Sequence, residues 1–299
     1  MNDPISAEQH THISAAVIDE AQKTGTLPPE VLPIREVARA TTSVPEERVV
    51  ANRLVEGPTV TLTEVSVPVS LSVSQVAEAD LASAVARFRR AAATLQATCD
   101  QLVLRAGAAP AAAAVRHPIA AARTFVGVAT ASRAINALTP GAGAPPYPAD
   151  EVVRAVEEAI FDLDAAQHFG PYHVLLGRDM WRFANQRPPG AATLARDSLS
   201  ARLEAEGGTL SRARGLQPDQ GLVVARSGDP FDLVVAVPPT VQYLRHEVDG
   251  GEERISYRVW CRFGLRVKED ASVRLLTLPP PVAAAAGAGG GLAGPAEPE

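Results

Sequence analysis

The sequence predicts an α+β chain laid out as an extended plate, and three observations carry that expectation. Val65, Val67, Val69, Leu71 and Val73 alternate with Glu64, Ser66, Pro68, Ser70 and Ser72, so one face of a strand is apolar. A second alternation sets Ile255, Tyr257, Val259, Cys261, Phe263, Leu265 and Val267 against Arg254, Arg258, Arg262, Arg266 and Lys268. Such a strand of about 14 residues would span roughly 45 Å, well beyond the usual five or six residues. Between the two, Leu81, Val85, Phe88, Ala92, Leu95, Cys99 and Leu102 recur at alternating steps of four and three. That is the stripe of one long amphipathic helix.

Taken in order, Ser6 to Lys23 reads as a short helix with Ile13, Val17 and Ile18 as its apolar stripe, broken at Pro28-Pro29 and again at Pro33. Val37 to Pro58 is polar and reads as an extended loop or loose hairpin. Pro68 lies on the polar face of the first long strand and removes a ladder donor, which favours an edge position or a bulge. Ser74 is the expected cap of the long helix and Gly107 its expected stop; from Ser74 to Ala106 it would measure on the order of 50 Å. A coiled coil is the alternative for that spacing, but the stripe's flanks mix Arg and Ala without opposed charges, so packing on a sheet is preferred.

Residues Ala108 to Ala122 are Ala-rich, and Gly141 to Pro148 has linker composition and marks a boundary. Beyond it Asp150 is the expected cap of a helix carrying Val152, Val153, Val156, Ile160 and Leu163. Tyr172 to Leu176 reads as a buried strand, Asp179 to Ala184 as a short helix, Pro188-Pro189-Gly190 as a loop, and Leu194, Leu199 and Leu203 as a further helix. Short strands are expected at Thr209 to Ala213, Leu222 to Ala225 and Phe231 to Val237. From Pro279 the chain is Pro, Ala and Gly with few acids, a composition that cannot build a core.

Of 299 residues, 46% are hydrophobic and only 4% aromatic, so Ala, Val and Leu must fill the core. A net charge of −6 argues against the chain as a whole coating nucleic acid. Cys99 and Cys261 read as separate buried thiols, with a disulfide between them as the alternative. No membrane span is visible, nor any basic or apolar leader around Met1-Asn2-Asp3-Pro4, so the cytoplasm is the expected location. His10-x-His12 has no acidic or thiol partner nearby, and no metal or other cofactor is expected. No nucleophile elbow, metalloprotease helix or P-loop is present. Gly289 to Gly294 spells a dinucleotide fingerprint, but no strand precedes it and five residues remain after it, too few for the required helix and second strand.

Four stretches resemble the encapsulin shell family, linocin-type members included. Val67-Pro68-Val69-Ser70-Leu71-Ser72 resembles the strand before the family's spine helix. Phe169-Gly170-Pro171-Tyr172-His173-Val174-Leu175-Leu176-Gly177, followed by Asp179-Met180-Trp181, resembles its "GPY, aliphatic, LG" strand and short helix. Gly228-Asp229-Pro230-Phe231-Asp232-Leu233 resembles its "GGDF" strand. Val241-Gln242-Tyr243-Leu244-Arg245-His246 and the Arg-rich strand after it resemble the family's ending.

The resemblance implies the tailed-phage major-capsid-like fold. Its parts would be an N-terminal helical arm (1–33), a shortened extended loop (34–60), a peripheral domain (61–147 and 228–280), an axial domain (148–227) and a tail (281–299). It also implies no catalysis by the chain, an icosahedral homo-oligomer, and a cargo enzyme of ferritin-like or peroxidase type held by a short targeting peptide, with neither membrane nor nucleic acid as partner. The pore loop would be Arg187, Pro188, Pro189 and Gly190, where an Arg ring favours anions; an ordinary surface loop is the alternative. The cargo groove would combine Ile13, Val17 and Ile18 with Phe231, Leu233 and Val235, or these residues are plain core. Three or four such side chains at about 2 kcal/mol each would suffice for micromolar docking. The Arg254, Arg258, Arg262 and Arg266 face reads as solvated or intersubunit, with a nucleic-acid site as the alternative, since Trp260 is the one aromatic interleaved there. A prophage capsid protein, and more remotely a two-domain cytosolic enzyme, are the alternative functions.

Overall fold

In the computed structural model the residues described are 3–26, 32–50, 53–105, 114–116, 134–137, 149–188, 190–249 and 252–278. The Pro28-Pro29 break, the Gly107 stop, most of the Ala-rich stretch, the 141–148 linker, Pro189 and the tail lie outside them.

Helix α1 spans Ala7–Thr24 and starts from a capping box, Ser6 and Gln9 satisfying each other's backbone N–H groups. Strand β1 (Ile34–Glu36) leads to a hairpin, β2 (Ser43–Val50) and β3 (Arg53–Thr61), where the polar stretch was expected to form a loop or loose hairpin. Strand β4 (Thr63–Ser72) alternates as expected, with Val65, Val67, Val69 and Leu71 buried. Val73 does not continue it: this residue is exposed and opens a short helix, α2 (Val73–Val76).

The long helix is broken. Ser72, not Ser74, caps α2 through a second capping box with Gln75, and Ala77 to Leu81 interrupt the rod before α3 (Ala82–Arg105). Leu81 sits at φ 53°, a left-handed conformation that ends helical propagation. Asp80 and Glu78 then accept hydrogen bonds from the Ala82 and Ser83 N–H groups at 3.1 and 2.9 Å and start the new helix. Leu81 still packs into the core, so the apolar period outlives the break.

A five-stranded sheet has the order β1-β10-β11-β4-β5, with β5 at Ala114–Arg116. Its spine is a hairpin of β10 (Phe231–Asp249, 19 residues) and β11 (Glu252–Val267, 16 residues). The expected short strand at Phe231 to Val237 is therefore only the first part of β10. Pro238 and Pro239 do not end it, because register shifts at Val235/Val237 and Val237/Thr240 absorb them as bulges. Pro68 stands opposite Arg258, past the last β4 residue paired with β5, where its missing donor breaks no described ladder bond.

Helices α1 and α3 cover the odd-numbered face of this sheet, the arrangement expected over a coiled coil. Phe88 packs edge-on to Tyr257 with centroids 5.5 Å apart. The Tyr257 hydroxyl donates to Asp3 at 2.9 Å, and His10 meets the same carboxylate at 3.1 Å, so the chain's start is pinned to the sheet. Burial and the Asp3 carboxylate both push the Tyr257 phenol well above its ordinary range.

The second sheet has the order β6-β12-β9-β7-β8: β6 (Ala134–Ala137), β7 (Tyr172–Leu176), β8 (Thr209–Arg212), β9 (Gln220–Ala225) and β12 (Val273–Thr277). Strand β12 pairs antiparallel with β9, so Val273–Thr277 belongs to this second sheet and not to the first. One face carries α4 (Ala149–Ala165), α5 (Arg178–Ala184) and α6 (Ala195–Ala205); Val152, Val156, Leu163, Val174, Leu176 and Val223 meet there. Asp150 lies inside the first turn of α4, not ahead of it. Leu175, Leu222, Val224 and Leu275, on the other face, join the core under α3. Burial on both faces is why Tyr172 to Leu176 reads as an unbroken apolar run.

Candidate assembly, pore and docking surfaces

The even-numbered face of the first sheet is not open to solvent throughout. Leu62, Val234, Ala236, Val237 and Trp260 form a small core there, closed by Val37 and Val44 at the base of the β2–β3 hairpin. The base fits closely: a Cβ added to Gly264 on β11 would lie 2.7 Å from Leu62 Cδ2. Polar bonds fix the hairpin further out. Val49 N–H donates to the Lys268 carbonyl at 3.0 Å, and Arg266 Nη1 reaches Glu47 Oε1 at 2.8 Å.

Arg266 is 2% exposed and donates from Nε to Asp232 Oδ1 at 2.7 Å; its Nη2 also binds that carboxylate, and Lys268 adds a contact at 3.3 Å. The hydrogen bond to Asp232 raises the Arg266 pKa further, so this charge does not titrate. Two strands and a hairpin thus share one buried ionic cluster.

Nearer the middle of β11, Arg258 and Arg262 both bind Glu64 on β4, the latter at 3.1 Å, and Arg258 Nε donates to Gln242 across the β10–β11 pairing at 2.8 Å. Partial burial pushes the Glu64 carboxyl up, but Arg262 and Arg258 outweigh it and hold its pKa below the ordinary value. Trp260 lies among Arg258, Arg262 and Arg39, whose guanidinium carbons stand 4.7, 5.5 and 6.0 Å from its ring centroid. The Arg-rich face is therefore largely partnered within the chain.

The loop between α5 and α6 holds Arg187 and Gly190 exposed and Pro188 half-buried; Pro189 lies outside the described residues. Ala191 N–H donates to the Pro188 carbonyl at 3.0 Å, and Gly190 adopts φ 79°, which a side chain would strain. Arg196 on α6 donates to Asn185, tying the base of the loop. The resulting turn is tight and presents one cation, Arg187, outward.

Helix α1 lies against β10 and α3. Ile13, Val17 and Phe231 are buried in the core, while Ile18 is 43% exposed and Leu233 and Val235 are half-buried. Strand β1 already occupies the outer edge of β10, Ile34 and Glu36 pairing in parallel with Leu233 and Val235. Only Ile18, Leu233 and Val235 of the six expected residues keep apolar surface that a second molecule could cover.

Sequence reasoning missed Glu47, Asp232 and Lys268 as partners of Arg266, and the meeting of the two cysteines described below. Alternation assigns Arg266 to a polar face; nothing local says that a hairpin folds over that face.

Residues 123–256 match the family described as encapsulating protein for peroxidase, a little under half of the chain. That stretch contains two of the four resembling stretches whole and the beginning of the last. Among solved structures, the virus-like particle from Pyrococcus furiosus superposes with a TM-score of 0.63 at 14% identity, covering 90% of this chain and 100% of that one. The chain has the fold of encapsulin and phage-capsid shells. The capsid of Myoviridae phage XM1 matches at TM-score 0.53 and 13% identity, over 87% of this chain and 91% of that one. A phage-related protein from Bordetella bronchiseptica matches at 0.55 and 13%, over 88% and 96%. No curated protein matches. Among the described residues no group of three or more His, Cys, Asp or Glu could hold a metal ion, and no helix is long and apolar enough to cross a membrane.

Proposed function

We propose that the chain is a self-assembling shell subunit that encloses a cargo enzyme, lets small solutes through pores, and has no catalytic site of its own. The observation that carries this reading is the capsid-type fold over nine-tenths of the chain. Leu54 and Val55, beside the hairpin turn, are exposed, as are Leu244 and Val248 toward the far end of β10. Apolar side chains at the ends of long arms suit burial against further copies of the chain.

The family's description supports a peroxidase as cargo; a ferritin-like enzyme is the other cargo type the sequence resemblance brings. A short targeting peptide would dock on Ile18, Leu233 and Val235, over a floor made by Ile13, Val17 and Phe231. The loop of Arg187, Pro188, Pro189 and Gly190 would line the pore, its repeated Arg187 drawing anions inward. On this reading the particle resides in the cytoplasm.

The likeness to phage capsids supports a second reading, a prophage capsid protein with DNA inside. The contents separate the two. Mass spectrometry of particles purified from the native host should find a co-purifying oxidoreductase and no nuclease-protected DNA; protected DNA of uniform length would establish the capsid reading instead.

A further inference from the structure

Cys99 and Cys261 lie far apart in the sequence, yet their Sγ atoms are 3.4 Å apart in the fold. Cys99 sits on the face of α3 that rests on the first sheet, and Cys261 is on β11, the sheet's central strand, opposite Val65 of β4. Both are free thiols. Cys261 is buried, whereas Cys99 keeps partial exposure and is the one a small oxidant reaches first.

We propose that this pair is a redox modification site, in which a peroxide converts the two thiols to an intrachain disulfide that rivets the spine helix to the sheet. A disulfide needs sulfurs about 2.05 Å apart, so the gap must close by roughly 1.4 Å, a distance that small side-chain rotations cover. In the first step the Cys99 sulfur attacks one peroxide oxygen; the O–O bond breaks, and the departing oxygen leaves as water with the thiol's proton. In the second, the Cys261 sulfur attacks the sulfenic sulfur of Cys99. The S–O bond breaks, and the hydroxyl leaves as a second water with the Cys261 proton. Two thiols lose two electrons and two protons, and one hydrogen peroxide becomes two waters.

The placement gives the bond leverage. It would close a loop from residue 99 to residue 261 that contains α4 to α6 and most of the second sheet. Long closed loops restrict the unfolded chain most. Contact with Cys261 first, then burial and the neighbouring Asp100 carboxylate, raise the Cys99 pKa, so Cys99 is slow to oxidise without a strong oxidant.

The test treats the purified full-length chain with hydrogen peroxide, blocks remaining thiols under denaturing conditions, and maps peptides by mass spectrometry. Both thiols should disappear together, a linked peptide pair containing Cys99 and Cys261 should appear and vanish with dithiothreitol, and the chain should stay a single chain on a non-reducing gel. The oxidised protein should melt about 5 °C or more above the reduced one. C99S should remove both the linked peptide and the shift in melting. Cys99 advancing to sulfinic acid without a linked peptide, both thiols remaining alkylatable after full exposure, or linkage only between chains would each overturn the proposal, and none of these outcomes depends on a variant folding.

Discussion

Arg266 Nη1 stands 2.8 Å from Glu47 Oε1, joining the innermost long strand to a hairpin more than two hundred residues earlier in the chain. The contact is one arm of a cluster that also binds Asp232, and the two arms differ in burial: Asp232 is enclosed, whereas Glu47 is at the rim. They should therefore respond differently to substitution. R266M leaves Asp232 enclosed with only Lys268 for a partner, and should lower unfolding stability by about 3–5 kcal/mol in denaturant titration. E47A removes a rim contact and should cost about 1 kcal/mol or less, while amide exchange speeds up selectively across residues 43–61.

Phe88 anchors the helix-to-sheet core. It is fully buried, and its ring meets Tyr257, which in turn meets Tyr243 at 5.6 Å between centroids. F88A should open a cavity between α3 and β11 and cost about 3–5 kcal/mol, measured by chemical denaturation, with F88L costing clearly less.

Glu64 sets an acid response. Its folded pKa lies below the ordinary 4.5 because Arg262 and Arg258 outweigh the effect of burial. A depressed carboxylate contributes stability that is fully present above the unfolded-state value and is lost as pH falls through the folded-state value. Urea midpoints should accordingly fall between pH 6 and pH 3 more steeply for the native chain than for E64Q. Equal slopes would show that the two arginines do not stabilise the charged form.

Arg187 tests the pore assignment apart from folding. The side chain is exposed and its loop is held by the Pro188–Ala191 bond and the glycine at position 190. R187E should leave stability within about 0.5 kcal/mol of the native chain, as surface changes do. Entry of small anionic probes into assembled particles should slow, and entry of cationic probes should speed up; unchanged rates for both would remove Arg187 from the pore.

Much of the fold was legible because it obeys local periods. The alternation from Val65 to Leu71 and from Ile255 to Val267, and the stripe from Leu81 to Leu102, each bury the faces they predict. What periodicity cannot see is where backbone chemistry interrupts or extends an element. The residues that set the start of α3, Leu81 in a left-handed conformation and the capping carboxylates of Glu78 and Asp80, leave the apolar spacing intact. Conversely, Pro238 and Pro239 read as an end of strand, yet bulges carry β10 through them. The candidate surfaces were less legible. Ile13 and Val17 carry the same signal whether a stripe faces its own core or a visitor, and here both face the core. The partners of Arg266 and the nearness of Cys99 to Cys261 are long-range facts that no local pattern encodes.

The central claim is that this plate closes on copies of itself. Sedimentation velocity of the purified chain at micromolar concentration, with negative-stain electron microscopy of the fast fraction, tests it most directly. The account predicts hollow particles of uniform diameter that hold nearly all the protein. A well-folded monomer or dimer that forms no closed particles across a range of salt and pH would contradict it.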